Sequence, residues 1–167
     1  MSNITVERAA RRSVAAIGAN ANRAALLSAL AAEFGITIPT TQSFVRSDSV
    51  TLSCLSPSRY LASADRDAKL ATRLAKSFAG VAAIMDQSDQ WAIFTLSGPD
   101  SREALARLVP IDVASEKFRV GGLALTRAAH IDVRLWHVTE GTYELAVTRS
   151  YEADFRSVLN REESVLF

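Results

Sequence analysis

The stretch WAIFTLSGPDSREALARLVPIDV, from Trp91 to Val113, decides the fold. Its first part, Trp91–Leu96, is an apolar run typical of a buried strand. Gly98 is predicted to cap a helix over Pro99–Val109, because a proline at the first helical position loses an N–H that had no partner there. Pro110 is predicted to end that helix. The segment therefore specifies architecture and contains no nucleophile, phosphate loop or metal cluster.

The preceding residues predict strands and helices in the order strand, helix, strand, strand, helix, strand. The strands are Ser13–Ala19, Val50–Leu55, Arg59–Ala64 and Val81–Met85. The first helix is capped by Asn20 or Asn22 and ended by Gly35. The second, with Leu70, Leu74 and Phe78 at four-residue spacing, is capped by Asp65 or Asp67 and ended by Gly80. This order is the split strand-helix-strand motif of ferredoxin-like folds.

The residues after Val113 predict a second unit of similar order. They contain a strand over Gly122–Ala128, a hairpin of Ile131–Val138 with Thr142–Val147, and a last helix capped by Ser150. The sequence therefore predicts an α+β fold of two pseudo-repeated ferredoxin-like halves, antiparallel sheets with helices packed on one side. We expect residues 1–167 to form a single domain, with halves of about 1–86 and 87–167.

Composition excludes several classes of function. The chain has 167 residues, 49% of them hydrophobic, and a formal net charge of +1, which gives no field that would attract nucleic acid or anionic lipid. The single cysteine, Cys54, alternates with Val50 and Leu52 and is predicted to be a small core residue. No secretory h-region or membrane-spanning run is present, so a cytoplasmic location is expected.

The chain offers few residues for catalysis. Its two histidines, His130 and His137, are seven apart, and on a strand such spacing directs side chains to opposite faces, so they are not expected to share a metal. Each is predicted to be a structural residue. Ser97 lacks the flanking glycines of a hydrolase elbow and is interpreted as a turn residue. The sequence therefore predicts no catalytic, cofactor-binding or metal-binding residue in this chain.

Two further residues have open interpretations. Strand alternation places Trp136 with Asp132 and Arg134, opposite the apolar residues of the same strand. Such a tryptophan is either an anchor for a partner protein or part of a second buried layer, and the sequence does not decide between them. Arg149 either binds a partner or pairs with a neighbouring carboxylate or helix terminus, and the second interpretation is favoured.

Several motifs together resemble the gamma subunit of heterotetrameric sarcosine oxidase. They are MDQS at Met85–Ser88, the LSGPDSREALARLVPID block, Phe118 with Gly121 and Thr126, and RSYEADF ending at Phe155. One departure lies at Ser56–Leu61, where the family tends to have a glycine-proline-aspartate run leading to tryptophan and leucine. That departure affects the substrate more than the family, since related complexes that oxidise other N-methyl amino acids contain similar subunits.

The resemblance implies an accessory subunit of a four-subunit oxidoreductase complex in sarcosine catabolism. Such a complex oxidatively demethylates sarcosine to glycine, with hydrogen peroxide and formaldehyde, or methylenetetrahydrofolate, as the other products. Its alpha subunit is expected to hold NAD and tetrahydrofolate, its beta subunit FAD and covalent FMN, and its delta subunit zinc. The gamma fold is related to folate-binding domains of aminomethyltransferases, and this chain is expected to bind no cofactor and to act in assembly.

Two other functions stay open at this stage. One is a stand-alone folate-binding aminomethyltransferase-like domain, which the related fold allows. The other is a ferredoxin-like regulatory or dimerisation module, which only the order of elements favours.

Overall fold

The computed structural model describes residues 3–20, 22–65, 67 and 69–165. In chain order the elements are β1 (Thr5–Arg8), β2 (Ser13–Ala19), α1 (Arg23–Phe34), β3 (Ser43–Arg46), β4 (Thr51–Ser56), β5 (Arg59–Ala64), α2 (Leu70–Ser77), β6 (Ala82–Asp86), β7 (Trp91–Ser97), α3 (Ser101–Leu108), β8 (Leu123–Ala128), β9 (Ile131–Thr139), β10 (Thr142–Thr148) and α4 (Glu152–Val165). A short 3-10 turn, Arg149–Tyr151, precedes α4.

The chain divides into two compact units. The first unit is Arg11–Asp89, and the second unit combines the residues up to Ala10 with those from Gln90 onward. The N-terminal residues belong to the second unit because β1 pairs antiparallel with β7. The single-domain prediction for residues 1–167 stays a prediction, and the two residues at either end of that range lie outside the described residues.

Each unit contains one five-stranded sheet with antiparallel pairing throughout. The strand order is β3-β4-β5-β2-β6 in the first unit and β1-β7-β10-β9-β8 in the second. The predicted α+β class with two ferredoxin-like halves is confirmed. The structure adds β1 and β3, which were not predicted from the sequence; both have only four residues, carry an arginine and lie at a sheet edge.

In the first unit, both helices contribute leucines to the same core as one face of the sheet. Leu26 and Leu30 of α1 and Leu70 and Leu74 of α2 lie in a buried cluster with Ile17, Leu52, Tyr60 and Ala62. The predicted limits of α1 are confirmed, since the Asn22 side chain accepts a hydrogen bond from the Ala25 N–H and Gly35 ends the helix in the left-handed conformation.

The second unit repeats this arrangement with its own core. Leu105 and Leu108 of α3 and Phe155 and Leu159 of α4 cluster with Phe94, Leu96, Val133, Leu135, Leu145 and Val147. The predicted hairpin is confirmed, because β9 and β10 pair around Glu140 and Gly141. The face of the sheet away from the helices is the one that carries Trp91, Arg134 and Trp136.

Three predicted helix starts were wrong by a few residues. Helix α3 begins at Ser101, not at Pro99, because Gly98 has a φ of 121° and turns the chain, and Asp100 at the cap position instead accepts a hydrogen bond from the Asn3 N–H. Helix α2 begins at Leu70 with Lys69 at its cap position, and the predicted cap Asp67 lies two residues earlier, where its carboxylate accepts a hydrogen bond from the Lys69 N–H at 3.1 Å. Ser150 lies within the 3-10 turn and therefore does not cap α4.

None of the helices in the described part of the chain combines the length and the apolar character needed to cross a bilayer.

Candidate functional site

A cavity of about 550 Å³ opens in the second unit, on β7, β8, β9 and the end of β10. This volume lies within the range of roughly 300–1,000 Å³ that is usual for sites binding small molecules. Four apolar, two hydroxyl-bearing and three charged residues line it: Trp91, Pro110, Leu125, Val133, Thr126, Thr148, Arg127, Asp132 and Arg134. Apolar residues beside a few hydroxyl and charged groups are a combination found in sites that bind small molecules.

Arg134 is the central charged group of this cavity. Its guanidinium carbon lies 3.9 Å from the centre of the Trp91 ring, a cation–π contact that fixes the plane of the group. Its Nη1 atom is buried and has no hydrogen-bond partner among the described residues. Burial lowers the pKa of Arg134 to about 10, so the group is still charged at neutral pH.

Sheet register brings Arg134 and Trp91 together across β10. Trp91 of β7 pairs with Thr148, and Arg134 of β9 pairs with Ala146, two residues back along β10. Paired residues in an antiparallel sheet share a face, so these side chains leave the sheet on the same side. That side is opposite the helices.

The other two charged residues of the cavity neutralise each other. Arg127 Nε donates to Asp132 Oδ1 at 2.9 Å, and both side chains are mostly exposed. Because this pair has no net charge and lies in water, it leaves Arg134 as the source of the positive charge inside the cavity.

His137 lies away from the cavity, in a stack of rings inside the second core. Its ring is stacked against those of Tyr143, at 4.6 Å and an angle of 21°, and Phe118, at 5.7 Å and 20°, and its Nδ1 lies 2.8 Å from the Phe118 carbonyl oxygen. His137 Nε2 and the Tyr143 hydroxyl are both buried and have no partner in the described structure. Burial raises the pKa of Tyr143, and the Arg102 guanidinium opposes that shift.

The structure keeps the other predicted candidates apart. His130 is exposed in the turn between β8 and β9, with a φ of 74°, while His137 faces the core. Cys54 is a buried core residue, as predicted, and its thiol donates to the Ser56 carbonyl oxygen at 3.3 Å. Ser97 is the last residue of β7 and pairs with Thr142, which agrees with a turn-flanking role. Within residues 3–20, 22–65, 67 and 69–165, no three His, Cys, Asp or Glu residues could share a metal ion.

The structure bears on both of the residues that the sequence left open. Trp136 is only 6% exposed, so its side chain is already buried, and its interpretation as an anchor for another protein is wrong. Arg149 lies in the 3-10 turn close enough to Glu152 to help lower the pKa of that carboxyl, although the hydrogen bond from Arg8 is the main cause. The favoured interpretation of Arg149, a neighbouring carboxylate, agrees with this position.

Sequence reasoning found Arg134 only as a neighbour of Trp136. The signal that distinguishes it is its register with Trp91, which depends on two strand pairings and involves residues more than forty positions apart. Alternation along a single strand cannot supply that information. The sequence therefore predicted the charged face of the strand, but it did not single out Arg134 as the residue that lines the cavity.

The sequence was compared with models of known protein families. The model of the GCVT N-terminal domain matches residues 36–161, three quarters of the chain. The chain belongs to the GCVT N-terminal domain family. No curated protein sequence matches this chain significantly.

Solved structures share the fold of this GCVT N-terminal domain protein at low sequence identity. A chain of the heterotetrameric sarcosine oxidase from Corynebacterium sp. U-96, in complex with pyrrole 2-carboxylate, has a TM-score of 0.88 and 21% identity, over 96% of this chain and 84% of that one. The glycine cleavage system aminomethyltransferase T from Bartonella henselae has a TM-score of 0.68 and 12% identity, over 95% and 45%. The ligand-free regulatory subunit of aspartate kinase from Thermus thermophilus has a TM-score of 0.50 and 13% identity, over 95% and 98%.

These similarities confirm at the level of fold what the sequence motifs resemble. The GCVT N-terminal domain protein corresponds to most of one sarcosine oxidase chain and to less than half of the aminomethyltransferase.

Proposed function

We propose that this protein is an accessory subunit of a heteromeric oxidase that demethylates sarcosine or a related N-methyl amino acid. The observation that carries the proposal is the likeness of fold: the TM-score with a sarcosine oxidase chain is 0.88. The TM-score with an aminomethyltransferase is lower, at 0.68. The fold of the described residues is therefore more similar to that of an oxidase chain than to that of the transferase.

Its role in that complex is assembly. The two histidines lie in different surroundings: His130 is exposed in a turn, and His137 is buried in a stack of rings. The thiol of Cys54 is buried as well. General acid-base or nucleophilic catalysis needs such groups within hydrogen-bond reach of a substrate. The proposal therefore assigns FAD, FMN, NAD, tetrahydrofolate and zinc to the alpha, beta and delta subunits.

Co-expression with the alpha, beta and delta subunits of a heterotetrameric sarcosine oxidase tests this function. The chain alone is expected to be colourless, and the co-expressed complex is expected to absorb at about 450 nm and to produce hydrogen peroxide with sarcosine. A control that omits this chain should give less assembled complex. Stoichiometric flavin on the isolated chain, or failure of the chain to co-purify with those subunits, would reject the proposal.

A second candidate function, folate binding, is favoured by the family match over residues 36–161. A pterin presents adjacent N–H donors, for which a carboxylate is the matching acceptor. The only carboxylate lining the Arg134 cavity belongs to Asp132, which is 83% exposed and paired with Arg127, so this cavity does not fit a pterin. Titration of the isolated chain with a reduced folate separates the functions, because saturable binding would favour the second.

A further inference from the structure

The cavity around Arg134 is a charged, partly apolar space with no ligand-binding role assigned by the function proposed above. We propose that it binds a small organic acid through its carboxylate group, with Arg134 as the anion-binding residue and the apolar wall holding the rest of the molecule. This inference does not depend on the oxidase assignment, because it rests only on residues of the second unit.

The unsatisfied guanidinium is the first argument. A buried polar nitrogen without a partner is costly, and native proteins keep few of them. Arg134 Nη1 is such an atom, and Arg134 lines the cavity. A carboxylate in the cavity would balance the charge of this partly buried guanidinium through a charge-assisted interaction.

The fixed orientation of the guanidinium is the second argument. The Trp91 ring lies 3.9 Å from the guanidinium carbon and holds the plane of the group before any ligand arrives. An arginine ordered in this way loses little side-chain entropy on binding, which favours a planar anion.

Charge and surroundings select the class of anion. Since Arg127 is already paired with Asp132, the cavity offers one uncompensated positive charge, which matches a monoanion and not a phosphate dianion. Trp91, Pro110 and Leu125 form an apolar wall, and Leu125 is 53% exposed, so an apolar body attached to the carboxylate would cover it.

Benzoate is a suitable probe, with benzamide as its uncharged isostere and phenyl phosphate as the dianionic one. The full chain, labelled with ¹⁵N, is titrated with each probe at constant ionic strength, and the shift of the Trp91 indole N–H signal gives the affinity. The signal is assigned from its loss in the Trp91→Phe variant. We expect benzoate to bind at least about tenfold more tightly than benzamide and than phenyl phosphate, because only benzoate matches the single charge.

Two conservative variants form a matched pair. Arg134→Lys removes the planar group and should weaken benzoate binding by about tenfold or more. Arg119→Lys, at an exposed arginine outside the cavity lining, keeps the charge and should change the affinity by less than about twofold. Equal binding of benzoate and benzamide, stronger binding of phenyl phosphate, equal effects of the two variants, or no shift at all would each overturn the proposal. If Arg134→Lys does not fold, the comparison of probes on the unmodified chain decides the question.

Discussion

The sheets of the two units have equivalent strand orders, but the strand at one edge comes from a different part of the sequence in each unit. The order β3-β4-β5-β2-β6 in the first unit corresponds, position by position, to β8-β9-β10-β7-β1 in the second. In the first unit the last position is filled by β6, which directly follows α2. In the second it is filled by β1, from the opposite end of the chain. Pairing with the neighbouring strand, and not chain order, therefore defines the unit.

The equivalent hairpins also differ in the polar groups that surround the hydroxyl of a buried tyrosine. Tyr60 pairs with Cys54 across β4 and β5, and Tyr143 pairs with His137 across β9 and β10. Burial raises the pKa of Tyr60, the Cys54 thiol raises it further, and the Arg23 guanidinium opposes both. The Tyr143 hydroxyl has no partner among the described residues. The polar groups without partners in the described structure, Arg134 included, therefore collect in the second unit.

The largest effect is expected where β1 joins the second unit. A Cβ atom at Gly98 would lie 1.9 Å from the Asn3 carbonyl oxygen, and the φ of 121° is itself unfavourable for other residues. Gly98→Ala should therefore lower the free energy of unfolding by about 3 kcal/mol or more. Urea unfolding of the full chain measures this change.

Gly35 at the end of α1 is the matched control in the first unit. It also has a positive φ, of 61°, but a Cβ atom there would meet nothing within 4 Å. Gly35→Ala should cost only about 1 kcal/mol, the price of the left-handed backbone alone. Equal losses for the two variants would show that the approach of Asn3 to Gly98 does not hold β1 in place.

A smaller effect distinguishes the two tyrosines. Tyr60→Phe removes a hydroxyl that interacts with Cys54 and Arg23 and should cost about 1 kcal/mol. Tyr143→Phe removes a buried hydroxyl without a partner in the described structure and should leave stability unchanged within about 0.5 kcal/mol, or raise it. Thermal and urea unfolding of both variants provide the comparison. A loss at Tyr143 as large as that at Tyr60 would mean that its hydroxyl is satisfied, for example by a bound water.

Local sequence signals predicted the parts of the fold that depend on neighbouring residues. Asn22 and Gly35 fixed the limits of α1, and Glu140 with Gly141 identified the β9–β10 hairpin, because caps and tight turns need particular residue types. The edge strands β1 and β3 were missed because four residues with mixed polarity give almost no periodic signal. The site was harder still. Trp91 and Arg134 meet only through the register of β7, β10 and β9, which no local pattern encodes.

The proposal that this chain assists assembly and does not take part in catalysis can be tested by removing its most reactive side chains. His130→Gln, His137→Gln and Cys54→Ala are combined in the chain, the complex with its flavoprotein subunits is purified, and sarcosine-dependent turnover is divided by flavin content. His137→Gln is expected to lower the yield of complex, because His137 lies in the core between Phe118 and Tyr143.

Turnover per flavin is the decisive quantity. Loss of a real general acid or base reduces rate by roughly a hundred- to ten-thousandfold, whereas a packing defect reduces only the amount of assembled protein. We predict turnover within about threefold of the unmodified complex, which is far below the loss expected for a catalytic group. A fall of about a hundredfold or more in fully flavinated complex would contradict the assignment, and the single variant that reproduces it would identify the catalytic residue.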